Sequence, residues 1–216
     1  MERAVIWNMT GLNAYIWDLD GTLFDSYGSI VSSLVSLAGE YRVPDSFEGI
    51  MRAVKQGAVS AYLRDLSVRT GADYDFLYRR YREISHTRMD EITLVPGAAE
   101  TLEGLRRVGA RHFVYTHRGA SSRPLLNRLG LTPFFTEIVT FEHGFRPKPS
   151  GEGVEYLVRK YGLSKASSAY VGDRTIDVYC ANDADVKAIL YLPEDSCVSP
   201  TGTEDLVIRK LEDLLE

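Results

Sequence analysis

Cysteine is scarce in this chain: Cys180 and Cys197 are the only two among 216 residues. Their spacing matches no metal motif, and both read as reduced thiols of a cytoplasmic protein rather than as a disulfide or a zinc site. Long apolar runs are also missing, since none approaches the roughly 18 residues that suggest a membrane span. Residues 1–13 hold no apolar stretch of the signal-peptide kind and read as a short N-terminal extension. Basic excess is absent too. Lys plus Arg number 25 against 30 Asp plus Glu, a net charge of -5, which argues against a nucleic-acid binder or a membrane-surface protein. With 18 glycines, 8 prolines and 44% hydrophobic residues, disordered and collagen-like classes are excluded. No internal repeat or low-complexity segment is visible.

At about 150 residues per domain, the length fits one domain carrying a sizeable insertion. Short apolar runs recur at Ala14 to Trp17, Arg111 to Tyr115, Glu137 to Phe141, Ala169 to Val171 and Val186 to Leu192. Amphipathic patterns lie between them, such as Ala98, Leu102, Leu105, Val108 and Val154, Leu157, Val158, Tyr161. Strands alternating with helices predict an α/β fold with a doubly wound, Rossmann-like parallel sheet, whose strand C-termini form the ligand edge. The alternation breaks from Tyr27 to Leu94, where helical patterns follow one another: Ser29 to Tyr41, then Phe47, Ile50, Met51, Val54, then Tyr74, Leu77, Tyr78, Tyr81. Asp45 or Ser46 would cap the second of these. The expected division is therefore a discontinuous core, residues 14–26 and 95–216, and a helical cap, residues 27–94, over the strand ends. Leu206, Ile208, Leu211, Leu214 and Leu215 predict a closing amphipathic helix.

The first strand ends in Asp18-Leu19-Asp20-Gly21-Thr22-Leu23-Phe24-Asp25-Ser26. In an extended segment Asp18 and Asp20 point the same way, and two close carboxylates resist joint ionisation unless a cation lies between them. Oxygen ligands favour a hard ion such as Mg2+ and, with it, phosphate-bearing substrates. Gly21 and Thr22 would let the chain turn with backbone N–H groups facing an anion.

This string resembles the first motif of the haloacid dehalogenase-like superfamily, Asp-x-Asp-Gly-Thr-Leu-hydrophobic-Asp-Ser, at every position. Three further motifs follow in the family's order. Phe113-Val114-Tyr115-Thr116 is a strand ending in Thr, Arg146-Pro147-Lys148-Pro149 places a lysine before a helix, and Gly172-Asp173-Arg174-Thr175-Ile176-Asp177 matches Gly-Asp-x-x-x-Asp. The resemblance implies a Mg2+-dependent phosphomonoester hydrolase. Asp18 would attack phosphorus to give an aspartyl phosphate, and Asp20 would protonate the leaving alcohol and then deprotonate water. Thr116 and Lys148 would hold the phosphoryl group. Asp18, Asp173 and the backbone carbonyl of Asp20 would ligate Mg2+, with Asp177 holding a metal-bound water or orienting Lys148.

Departures from the pattern are local. Relatives often carry Asn where His117 stands, followed here by Arg118, and both are candidate substrate contacts. His117 would touch the leaving group or the inserted block, or simply hydrogen-bond the loop. Arg174 stands where a small polar residue is usual, either adding charge near the phosphate or pointing outward. Asp185 replaces a common Gly at a helix C-cap, with an expected local cost. The insertion resembles the small helical cap of the phosphoglycolate phosphatase and β-phosphoglucomutase-like branch. Its candidate substrate contacts include Arg52, Gln56 and Tyr62, and above all Lys55 and Arg64. The expected partner is a small phosphorylated metabolite, with a sugar phosphomutase as the alternative activity and a non-catalytic binder as a third reading. Oligomeric state is not encoded in any pattern of one sequence.

Overall fold

The computed structural model describes residues 11–216, so residues 1–10 of the expected extension lie outside the described residues. The chain begins with β1 (Ala14–Trp17) and β2 (Phe24–Asp25), followed by four helices, α1 (Tyr27–Glu40), α2 (Phe47–Gln56), α3 (Val59–Thr70) and α4 (Tyr74–Thr87). It continues through β3 (Thr93–Leu94), α5 (Ala98–Arg107), β4 (Arg111–Tyr115), α6 (Ser122–Arg128) and β5 (Phe135–Val139). Then come α7 (Glu152–Tyr161), β6 (Ser168–Gly172), α8 (Thr175–Asp183), β7 (Lys187–Tyr191) and β8 (Leu206–Ile208). Two compact units result. One comprises the described residues up to Leu23 with Leu94–Glu216, and the other Phe24–Thr93.

The first unit is built on a six-stranded sheet in the order β5-β4-β1-β6-β7-β8, parallel throughout, with β2 and β3 paired separately. Every residue of β1 and β6 is buried, as expected of strands covered by helices on both faces. Ile16, Phe113, Tyr170, Leu157, Val154 and Val178 belong to one core cluster. The strand order reverses its direction of growth between β1 and β6, the switch point at which such sheets leave a crevice beyond their strand ends. In the second unit Ile30, Leu34, Leu37, Ile50, Val54, Leu63, Leu66 and Leu77 form a separate core.

Local signals explain most boundaries. Ser46 caps α2 by accepting from Gly49 N at 3.1 Å, while Asp45 instead pairs with Arg69 and accepts from the Tyr62 hydroxyl at 2.7 Å. Helix α8 ends in a left-handed residue at Asp185 (φ 58°). There Asp185 N bonds Asn182 O and Val186 N bonds Ala181 O, both at 3.1 Å, the paired closure that usually recruits glycine. The expected closing helix is not formed. Leu206 to Ile208 is instead the edge strand β8, and Leu211–Leu215 a short 3-10 turn. Leu206 and Ile208 are two apart, a strand period, and β7 offers an edge: Asp205 N bonds Ala188 O at 2.8 Å and Leu192 N bonds Ile208 O at 2.9 Å. β5 also starts two residues earlier than the apolar run beginning at Glu137 suggested. No helix among the described residues is long and apolar enough to cross a membrane.

Candidate active site

Asp18, Thr116 and Asp173 each follow a strand of the sheet. Asp18 follows β1 directly and stays in register with β6, its N–H bonding Val171 O at 2.9 Å. The chain then turns at Gly21 (φ 80°), a conformation that glycine adopts without steric cost. Thr116 follows β4, its N–H bonding Val139 O at 3.0 Å. Asp173 follows β6, and Asp177 sits in the first turn of α8. A side chain at Gly172 would collide with the Asp177 carboxyl, so the close approach of strand and helix there requires glycine.

Lys148 lies at the centre. Its side chain is fully buried, with Nζ 2.9 Å from Asp18 Oδ2 and 2.6 Å from Asp177 Oδ1. The third donor direction goes to the hydroxyl of Tyr170 at 3.0 Å, and that hydroxyl donates to Tyr115 O at 2.7 Å. Burial alone would push the ammonium's pKa down, but Asp177 and Asp18 together outweigh it and hold Lys148 charged above the ordinary lysine range. Burial also drives the Tyr170 phenol well above its usual value, keeping it a neutral donor and acceptor. Tyr170 is the participant that sequence reasoning missed. The available signal was a tyrosine within a wholly buried strand, because a buried phenol needs a hydrogen-bond partner.

Asp18, Asp173 and Asp177, all buried, present carboxylate oxygens within 4.8 Å of one another. This donor set fits a hard divalent cation such as Mg2+. Asp177 has other work, because Oδ1 accepts from Lys148 and Oδ2 from the backbone N–H of Arg174 at 3.0 Å. Both oxygens of Asp177 are therefore engaged, and Asp18 Oδ2 also lies against Lys148 Nζ. Thr22 Oγ1 approaches Asp173 Oδ1 at 3.4 Å.

Asp20 does not join this carboxylate group. Arg118 donates to it from Nε at 3.0 Å to both oxygens and from Nη2 to Oδ1 at 2.6 Å. Asp20 is thus matched to Arg118, and Asp18 to Lys148 with Arg174 nearby. Arg118 N–H also donates to Thr116 Oγ1 at 3.1 Å. His117 Nε2 accepts the backbone N–H of Lys148 at 2.7 Å, a hydrogen bond that joins two separate loops. Burial, with Lys148 and then Arg174 adding to it against Asp18, lowers its pKa to about 3, so the ring is neutral with its proton on Nδ1. Arg174 does not point outward: Nη2 lies 3.8 Å from Asp18 Oδ2 and only 11% of its side chain is exposed.

In the helical unit, Lys55 Nζ sits 4.9 Å from the Tyr27 ring centroid, and the Arg64 guanidinium 5.4 Å from that of Tyr74. Both cysteines are free. Cys180 is buried, donates to Ser150 O at 3.3 Å, and has its thiol pKa pushed up by burial, which makes it unreactive.

Residues 15–191 match the family model of haloacid dehalogenase-like hydrolases. A phosphoglycolate phosphatase of Agrobacterium fabrum is 33% identical over 81% of this chain and 78% of its own length. Pyrophosphatase PpaX of Bacillus velezensis is 25% identical over 94% of this chain and 95% of its own. The crystal structure of a predicted phosphoglycolate phosphatase from Haemophilus somnus superposes with a TM-score of 0.82 at 22% identity, covering 96% of this chain and 98% of that one. With buried Lys148 joining Asp18 to Asp177 at the switch point of the sheet, and a family match over most of its length, this chain belongs to the haloacid dehalogenase-like hydrolases.

Proposed function

We propose that this protein is a Mg2+-dependent phosphatase that hydrolyses a small phosphomonoester through an aspartyl phosphate on Asp18. The observation that carries this reading is the buried ammonium of Lys148 fixed on Asp18 and Asp177, beside the Asp173 carboxylate. A carboxylate held at a strand end next to fixed positive charge is set up to meet an anionic electrophile. Relatives named as phosphoglycolate phosphatase and pyrophosphatase support the release of phosphate from a small phosphorylated molecule.

Lys148 and the Thr116 hydroxyl hold the phosphoryl oxygens. Asp18 forms a bond to phosphorus as the bond to the leaving oxygen breaks, and Asp20 gives that oxygen a proton. In the second half, water attacks phosphorus, Asp20 takes the water's proton, and Asp18 leaves as a carboxylate. Arg118 holds Asp20 by its planar fork until substrate competes for it. When bound by Asp18, Asp173 and the Asp20 carbonyl, Mg2+ supplies positive charge that offsets the phosphoryl group.

The test uses p-nitrophenyl phosphate and Mg2+. The wild-type protein should release phosphate, and Asp18→Asn should lower turnover by about a thousandfold or more, as expected for loss of the nucleophile itself. Activity that survives the substitution would sink the mechanism.

A further inference from the structure

We propose that Arg174 is a second phosphate-binding cation, which with Lys148 grips the transferring phosphoryl group and selects dianionic phosphomonoesters. The inference rests on the phosphatase reading above and adds a residue to its substrate-binding machinery.

The position of the guanidinium carries the argument. Arg174 follows Asp173 directly, and its backbone N–H donates to Asp177 Oδ2 at 3.0 Å, which fixes the base of the side chain at the start of α8. The side chain then turns inward, bringing Nη2 to 3.8 Å from Asp18 Oδ2, the same oxygen that Lys148 Nζ approaches at 2.9 Å. A guanidinium cannot shed its charge, so a cation is permanently held beside the nucleophile. At 3.8 Å it is within ion-pair range of Asp18 yet beyond the roughly 2.7–3.2 Å of a closed N–H···O bond. Lys148 meanwhile occupies the closer position on that oxygen.

An attacking carboxylate and its phosphorus stand about 3–3.5 Å apart in a reactive complex. The equatorial phosphoryl oxygens then fall within hydrogen-bond reach of a group placed as Arg174 is. The planar fork of arginine matches two such oxygens at once.

Charge balance favours the same role. Asp18, Asp173 and Asp177 bring three negative charges, against two positive ones on Lys148 and Arg174. One divalent ion would make that site net positive with Arg174 and only neutral without it. A net positive site attracts a dianionic phosphoryl group more strongly than a singly charged phosphodiester, because the attraction grows with the charge of the ligand.

The experiment measures steady-state kinetics on p-nitrophenyl phosphate and competitive inhibition by inorganic phosphate, for wild type, Arg174→Gln and Arg174→Lys. The expected result for Arg174→Gln is a rise of about tenfold or more in both KM and the phosphate Ki, equal to ~1.4 kcal/mol or more, with kcat changing less than KM. Arg174→Lys should recover part of the loss, as a charge without the fork, and it carries the test alone if the glutamine variant fails a thermal-melt check of folding. An unchanged phosphate Ki overturns the proposal. So does a fall in kcat at constant KM, which would make Arg174 a positioning residue for Asp18. If the wild type hydrolyses no phosphomonoester, the phosphatase reading fails by itself. Calorimetric binding of inorganic phosphate with Mg2+ then decides on Arg174: binding lost in Arg174→Gln upholds the second cation, and equal or absent binding in both removes it.

Discussion

Replacing Lys148 by methionine would leave the Asp18 and Asp177 carboxylates buried without the ammonium that lies 2.9 and 2.6 Å from them. At an effective dielectric of about 20, each contact of that length represents ~6 kcal/mol of attraction. Removing the lysine also removes the several kcal/mol opposing cost of desolvating it, which leaves a net loss of about 3–5 kcal/mol, the range for breaking a buried pair. With a urea m-value of about 2 kcal/mol/M, that loss moves the unfolding midpoint down by about 1.5–2.5 M. The assay is urea denaturation followed by circular dichroism near neutral pH, with and without Mg2+. Because a divalent ion replaces part of the lost charge, Mg2+ should stabilise Lys148→Met more than it stabilises the wild type. Asp177 and Asp18 raise the Lys148 pKa above its ordinary value against burial, which lowers it. Its contribution is therefore complete below the unfolded lysine value and fades only as pH rises through the higher folded one. Wild type and variant should accordingly converge under strongly alkaline conditions. A midpoint shift below about 0.5 M, or equal stabilisation of both proteins by Mg2+, would refute the reasoning.

Substitutions at two further residues probe other features. His117 supplies an acceptor for Lys148 N–H at 2.7 Å, so His117→Leu should lower kcat/KM by about 10- to 100-fold through misplacement of the lysine. His117→Gln, whose side-chain oxygen reaches a similar point, should restore most of it. Burial depresses the ring's pKa to about 3, with Lys148 adding to the effect. The unfolded chain takes up that proton first as pH falls, so the stability tied to His117 is present above about pH 6.5 and is lost progressively toward pH 3. A His117 proton resonance titrating between pH 6 and 8 would contradict this. Asp185 holds a left-handed φ of 58° at the close of α8. Asp185→Gly should relieve about 1 kcal/mol of strain, partly offset by the greater freedom of glycine in the unfolded chain. The net gain of about 0.5 kcal/mol raises the melting temperature by 1–2 °C with activity unchanged, and a lower melting temperature would exclude strain at this residue.

The apolar runs of β1, β4 and β6 were legible because strands buried on both faces need an unbroken apolar sequence. β8 was not, since Leu206 and Ile208 join Leu211, Leu214 and Leu215 in a spacing that also suits a helix. Only the free edge of β7 decided between them. Tyr170 likewise reads as core in the sequence, and its role depends on where the Lys148 side chain ends.

The sequence by itself determined the alternation of strand and helix, the chemistry-bearing residues at strand ends, and the left-handed turn at Asp185. Each of these follows from local backbone preference or from short-range periodicity. Tertiary structure alone decided which charges meet. Lys148 with Asp18 and Asp177, Arg118 with Asp20, Arg174 beside Asp18, and His117 under the Lys148 backbone are partnerships between loops brought together by strand order. A cation's partner is set by distance and burial, which a parallel sheet assigns across 29 to 156 positions of chain with no trace in the spacing of the residues themselves.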